Sequence, residues 1–458
     1  MRLHELRQRL SNLNATISHH ESIFQELKQK RSTILSELNL VVYPVLTLPP
    51  EITAEIFKWC IDTGKRLLPS LAPSLLTQIC RDWRALALST PALWDTITEI
   101  RLEGHDQALQ MERLVTTWFS RAGTRPLSLG IISELVPLES VIRRCASQLQ
   151  SLVMITDYGV LSDFNAIQSF PLLRDLDLCC LGSYEPDGGQ IQLFDSAPSL
   201  RHLSLESVPP WAVAMPWAQL TKITISSTSL RDCLNVLRWA TSLHEFRRQD
   251  SPEDEEEDML PLEPPVHHST LNSLAVSISG GDENILRFLV LPGLQKFELE
   301  KRFMIWESYL DAEIVPFLSG ISGTLRTFNV GMSPTVPVHW FYSLTHLTTL
   351  ELVRSMGLIR ALDRRTTPDF LPKLQAFVFL GCGSDQVDNE LLDTLASRCD
   401  ARDAAHAKLE SFSLIWPRYY KSETPVVRLP LVNVLPLRAL AARGIHIHIG
   451  TREQNSFY

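Results

Sequence analysis

An α/β solenoid, preceded by a small helical bundle and a long N-terminal helix, is the fold class that this 458-residue sequence predicts. Three observations point to it. An apolar phrase recurs between residues 149 and 414, a proline-started, tryptophan-bearing helical pattern fills residues 45–97, and an unbroken heptad occupies residues 3–38. The expected organisation is a helix at 1–41, a bundle at 45–97 and a solenoid at 98–450, with an acidic, proline-rich insertion at 250–268.

The first segment places Leu3, Leu6, Leu10, Leu13, Ile17, His20, Phe24, Leu27, Arg31, Ile34 and Leu38 at alternating steps of three and four. Such a repeat gives one narrow stripe along a helix, with polar residues only at His20 and Arg31. It contains no glycine or proline. A lone helix cannot bury this stripe, so a coiled coil is expected, with self-association through residues 3–38. The competing expectation is a helix folded back on its own chain.

In the second segment, Leu48-Pro-Pro-Glu-Ile52 puts prolines where the first backbone N–H groups have no intrahelical acceptor, so a helix should begin near Pro50. Ile52, Ile56, Phe57 and Cys60 continue it as one apolar stripe, and Gly64 supplies a stop. A further helix is expected over 75–88, with Leu76, Ile79, Cys80, Trp83 and Leu86 inward and Arg81, Asp82 and Arg84 outward. Thr90-Pro91 ends it, ahead of Pro91-Ala-Leu-Trp94. Order, type and spacing of these anchors resemble the F-box. That resemblance implies a substrate receptor of a cullin-RING (SCF-type) ubiquitin ligase, docking a Skp-family adaptor and through it a cullin. The docking residues it implies are Leu48, Pro49, Glu51, Ile52, Ile56, Phe57, Cys80, Trp83 and Leu93. Long helices before the F-box are also a feature of the large fungal families that this chain resembles.

The third segment carries eleven copies of apolar-x-x-apolar-x-apolar, the fifth matched only as far as Phe246; the copies start at Leu149, Leu173, Leu200, Leu220, Leu243, Leu271, Leu294, Leu325, Leu347, Leu374 and Leu409. The first and last starts lie 260 residues apart, so ten intervals average 26. This period is that of leucine-rich repeats, about 20–29 residues. The last two apolar positions alternate as in a strand, and helical patterns at 138–149, 230–239, 309–318 and 391–399 lie between phrases. Strand and helix at this period predict a parallel sheet in a horseshoe. Intervals from 20 to 35 and a largely missing asparagine position mark a divergent repeat. Residues 94–100 and 127–131 are expected as early strands, and 444–450 as a closing one, with His446 and His448 on one face.

Stacked strands would present the residues between the inward leucines as a surface for a protein substrate. These are Asp175, Asp177, His202, Glu206, Lys222, Glu245, Arg247, Lys296, Glu298, Glu300 and Glu351, seven acidic and three basic, so a basic or mixed-charge segment is the expected complement. Ala376, Val378, Leu380 and Ile415 form an apolar end to the same face.

The net charge is −9, of which the run Glu253 to Asp258 supplies six, leaving −3 and no nucleic-acid signature. That run, flanked by Pro252, Pro261, Pro264 and Pro265, is expected to be a disordered, solvated excursion. The eight cysteines lack a CxxC pair and read as reduced core residues. No apolar stretch is long enough to span a bilayer and no secretory signal is evident, so the expected compartment is cytoplasm or nucleus. His446 and His448 have no third ligand nearby, so no metal or cofactor is expected. Gly280-Gly281-Asp282 and Gly381-Cys382-Gly383 read as turns, and no nucleophile signature appears. The expectation is a non-catalytic adaptor acting by proximity, with an interaction scaffold that recruits no ligase as the alternative.

Overall fold

A computed structural model of the chain describes residues 2–40, 44–61, 72–102, 105–133, 139–158, 161, 169–181, 190–249, 264–278, 285–301, 307–331, 336–353, 356–380, 387–400, 406–415 and 431–451. They fall into two compact units, one comprising 1–64 and 68–94, the other 65–67 and 95–458.

The first unit opens with α1 (Arg2–Leu40), followed by α2 (Pro50–Trp59), α3 (Leu76–Ile79), α4 (Arg81–Leu88) and a 3-10 turn at Pro91–Leu93. Pro50 occupies the first helical position, as its missing N–H favours. Every side chain described along α1 is exposed, so the chain does not cover its own heptad stripe. The single helix expected over 75–88 is instead two. The backbone is extended at Cys80 (φ −151°, ψ 173°), whose Sγ accepts the Trp83 N–H at 3.4 Å and so starts a new helix. That break keeps Leu76 buried but turns Ile79 outward, where it is 54% exposed, against the inward position expected for it. Phe57 is buried with its ring centroid 5.0 Å from that of Trp83. The buried indole of Trp94 donates to the Ala87 carbonyl at 2.8 Å, adding to the backbone N–H bonds that this carbonyl accepts at the end of α4. Gly64 lies outside the described residues.

The second unit is built on one sheet of fourteen parallel strands arranged in chain order. These are β1 (Thr96–Leu102), β2 (Leu127–Ser133), β3 (Leu149–Thr156), β4 (Asp175–Cys180), β5 (His202–Glu206), β6 (Lys222–Ser226) and β7 (Glu245–Gln249). After the short β8 (Val266–His267) come β9 (Ser273–Ile278), the short β10 (Leu289–Val290), β11 (Lys296–Lys301), β12 (Thr327–Gly331) and β13 (Thr349–Val353). β14 (Ala376–Leu380), β15 (Ser411–Ile415) and β16 (His446–Gly450) complete the sheet, while β8 and β10 pair only with each other. A parallel sheet in which every strand neighbours the next repeat is a solenoid-like α/β fold.

Each of the eleven phrases lies on one of these strands. The leading leucine of every phrase is at most 1% exposed. The fourth position then stacks in register, through Leu176, Leu203, Ile223, Phe246, Leu274, Phe297, Phe328, Leu350, Phe377 and Phe412. Each such burial contributes about 1.5–3 kcal/mol. Aromatic rings take over midway, and Phe297 and Phe328 stack at 5.2 Å with planes 10° apart. The fifth phrase departs from the rest because Arg248 fills its sixth position, only 9% exposed.

At the strand starts, one carbonyl accepts from two successive N–H groups of the following repeat. Arg174 O takes Arg201 and His202, both at 3.0 Å, and the pattern recurs to Gln375 O, which takes Glu410 (2.7 Å) and Ser411 (3.1 Å). β1 and β2 approach closely at a register shift, where a Cβ on Gly130 would sit 2.0 Å from Thr98 O. Only glycine fits there.

Helices or 3-10 turns fill the return segments. Leu230–Trp239 forms with the expected bounds, its Asp232 N–H capped by Ser229 Oγ at 3.1 Å. The pattern at 138–149 yields only Glu139–Cys145, because Leu149 already begins β3. Helix His105–Ala122 was not among the expected elements. The insertion expected to be disordered over 250–268 is ordered at its end: Val266 is buried, Arg238 donates to Pro264 O, and buried His268 contacts Ala240 O at 2.9 Å. Its residues 250–263, including the acidic run, lie outside the described residues. Among the cysteines, Cys60 is exposed and Cys80 and Cys179 are half-buried, unlike the core positions expected, and Cys382 lies outside the described residues.

Arg398, 1% exposed, fans its guanidinium onto three carbonyls, Leu362 O (2.6 Å), Phe370 O (2.6 Å) and Leu371 O (3.0 Å). Burial, with the neighbouring Arg364 charge, pushes it down to about 9, so it remains charged at neutral pH. Replacing it strands those acceptors. Arg398→Met is expected to lower stability in urea unfolding by about 1–3 kcal/mol, the range for a buried polar group left unsatisfied.

Candidate functional site

Two surfaces carry the residues singled out in the sequence, one on each unit. On the first, Ile52 and Ile56 stand one turn apart on α2 at 51% and 43% exposure, with Leu48 just before the helix at 38%. Pro49 and Glu51 are exposed beside them. The interior of the bundle is meanwhile occupied by Phe57, Leu76 and Ala87, all buried. These apolar side chains are therefore surplus to the bundle's own packing. Phe57 and Leu93 are 1% and 2% exposed and present no surface, contrary to the docking role that the resemblance implied. Cys80 caps α4 and the half-buried Trp83 packs on Phe57, so both have structural work. Ile79, which the sequence placed inward, and Trp59, at 85% exposure, extend the apolar surface.

On the second unit, all eleven predicted face residues lie on strands β4 to β13, at the positions that alternate with the buried ones. Two adjoining depressions run across this face. The first, of about 180 Å³, is lined by Asp175, Asp177, His202, Ser204, Lys222 and Thr224 among others. The second, of about 390 Å³, continues from Lys222 and Thr224 to Glu245, Arg247, Ala275 and Lys296. Ser204, Thr224, Ala275 and Asn272 were not singled out in the sequence, although the strand alternation that located the charged residues places Ser204, Thr224 and Ala275 on the same face.

The register brings the charges together. Asp175 pairs with His202 Nδ1 at 2.5 Å, and Lys222 with Glu245 at 3.1 Å, each across adjacent strands. Arg247 reaches over Ala275 on the intervening β9 to hold Glu298 with two bonds, at 2.9 and 3.2 Å. A bidentate pair spanning about 9.5 Å of sheet needs a small residue beneath it, which Ala275 supplies. Lys222 and Arg247 thus pair with Glu245 and Glu298, and the face keeps the negative excess expected from counting charges. Glu351 is only 8% exposed and Glu300 also has a partner.

Negative charge persists at β4 and β5. Asp177 and Glu206 form no ion pair among the described residues. Partial burial pushes the Asp177 carboxyl up, a hydrogen bond with Ser204 opposes this, and the Glu206 charge adds to the rise. Burial likewise pushes the Cys179 thiol up to about 11, with the charges of Glu206 and Asp177 contributing, so it is no nucleophile at neutral pH. Of the expected apolar end, Ala376, Val378 and Leu380 are half-buried and alternate with buried Phe377 and Phe379 on β14, whereas Ile415 is itself buried and presents no surface. His448 bonds Thr451 O at 2.7 Å. Among the described residues, no group of three His, Cys, Asp or Glu converges as a metal site, and no helix is long and apolar enough to cross a membrane.

No family model matches the chain, and no curated protein does either. Among solved structures, one titled "Structure of the Toll - Spatzle complex, a molecular hub in Drosophila development and innate immunity" is similar over 79% of this chain. The identity is 14% and the TM-score 0.31, and the match spans 61% of that structure's chain. A likeness this loose adds nothing to the strand order already described.

A folded-state carboxyl held above its ordinary value of 3.8 favours the folded protein below that value. The advantage is lost as pH rises through the folded pKa, so at neutral pH Asp177 carries a net burial penalty. Asp177→Asn should raise the thermal midpoint at pH 7, with the gain shrinking as pH falls through the carboxylate range. An unchanged midpoint at pH 7 would show that no such penalty exists.

Proposed function

We propose that this chain is the substrate-recognition subunit of an SCF-type ubiquitin ligase, with an F-box at its helical bundle and a divergent leucine-rich-repeat solenoid as receptor. The observation that carries the reading is the exposed apolar run of Leu48, Ile52 and Ile56 on a bundle whose own interior is already filled. Apolar side chains left in water on so small a unit mark a surface made for a partner. The Leu-Pro-Pro-Glu-Ile motif that starts α2 supports a Skp-family adaptor as that partner.

The groove on the sheet would then hold the substrate. Its chemistry suits an extended protein segment rather than a small metabolite, since it crosses many strands and its lining alternates charged, short polar and apolar groups. A basic residue would meet Asp177 and Glu206, and an acidic one would meet Lys296. Catalysis falls to other subunits, and this chain raises the local concentration of substrate lysines.

Co-purification with a Skp-family adaptor tests the reading. Wild type should bind, while Leu48→Ala with Pro49→Ala should lose binding and keep the circular dichroism and melting of wild type, because both side chains are exposed. Failure of folded wild type to bind would leave a repeat scaffold with no ligase. Once a substrate segment is in hand, Asp177→Lys with Glu206→Lys should weaken its binding about tenfold or more and leave adaptor binding intact.

A further inference from the structure

We propose that two copies of the chain associate through α1 as an antiparallel coiled coil. The proposal is independent of the ligase reading, because it uses only the heptad stripe. That stripe is open from end to end: its apolar members are 47–65% exposed, and a 39-residue helix with such a seam has no cover of its own. A second copy is the partner that a continuous heptad repeat matches, layer for layer.

The two polar core residues decide the orientation. The step of three from Leu3 to Leu6 makes Leu3 an a position and Leu6 a d position, which puts His20 at d and Arg31 at a. In a parallel, in-register dimer each core residue faces its own copy. Arg31 would then meet Arg31 of the second copy inside the seam, bringing two like charges together where water is excluded. An antiparallel dimer opposes a to d instead. With Leu6 set across from Leu38 of the second copy, Arg31 stands across from Leu13 and His20 across from Phe24. The Arg31 stem can lie along Leu13 while its guanidinium turns out to water, and His20 meets an aromatic ring rather than another imidazole. No buried like-charge layer remains. The same arrangement sends the chains that follow each helix to opposite ends of the coil, separated by about 60 Å of helix. Two bundles and two solenoids would then be carried apart.

The test uses the full chain. Sedimentation velocity at micromolar concentration should give a dimer, and Leu13→Asp with Leu27→Asp should raise its dissociation constant at least about tenfold by placing carboxylates in the seam. Leu6→benzoylphenylalanine, irradiated and digested, should join position 6 to the peptide carrying Leu38. Within one α1 those positions are about 48 Å apart, so that product can only form between copies. Cross-linking of position 6 to the peptide carrying Leu6 itself would overturn the antiparallel arrangement, and a monomeric wild type would overturn the proposal altogether. Adaptor capture by the Leu13→Asp, Leu27→Asp variant is expected at the wild-type level, so failure of the coiled coil and failure of the F-box reading remain separable.

Discussion

Much of the second unit depends on a backbone constraint repeated at the starts of β5 to β7, β9 and β11 to β15. One carbonyl receives two N–H groups from the next repeat, which locks successive chains at one strand spacing and in one register. A parallel strand cannot be reached by a tight turn, so each repeat must also spend a return segment on the other side of the core. Those returns vary widely, from a 3-10 turn at Val338–Phe341 to the fifteen residues of Glu307–Ile321, without disturbing the ladder. Irregular repeat lengths are tolerated because the sheet absorbs none of the variation.

The same register governs the chemistry of the open face. Residues far apart in sequence become neighbours at strand spacing, so Asp175 meets His202, Lys222 pairs with Glu245 on the adjacent repeat, and the small Ala275 lets Arg247 pair two strands away. What remains is a groove of mixed polar and apolar lining, with negative charge at Asp177 and Glu206, and further along the sheet half-buried apolar side chains at Val353 and Leu380. Asp177 stays exposed on β4, although its surroundings and the Glu206 charge push its carboxyl up.

The first unit has a different economy. Its helices are short, its interior is closed by a few aromatic and aliphatic side chains, and both α1 and α2 leave apolar residues in water. Small bundles bury a modest fraction of their surface, so surplus apolar area on them is conspicuous. The heptad seam on α1 and the short apolar patch on α2 are two chemically distinct exposed surfaces.

Period was what could be read directly. The heptad at 3–38, the proline-started helix at 50 and the eleven apolar phrases each depend on local spacing, so α1, the start of α2 and the strands that carry the phrases were legible, but the expected stripe on α2 was not, since Phe57 turns inward with Thr53 while Ile52, Ile56 and Cys60 are exposed. The break at Cys80 was not, because apolar spacing continues across it while the backbone turns extended and a thiol starts a new helix. Nor was the ordering of Val266 and His268, which follows from pairing with Leu289–Val290 and a contact to Ala240. By itself the sequence determined which side chains face the core and which face outward along each strand, since that follows from a period of two. Only the tertiary structure decided which outward charges meet, because the partners lie on different repeats and face one another only through the cross-strand register, which sets Lys222 beside Glu245 and Arg247 across from Glu298 while Asp177 and Glu206 form no ion pair among the described residues.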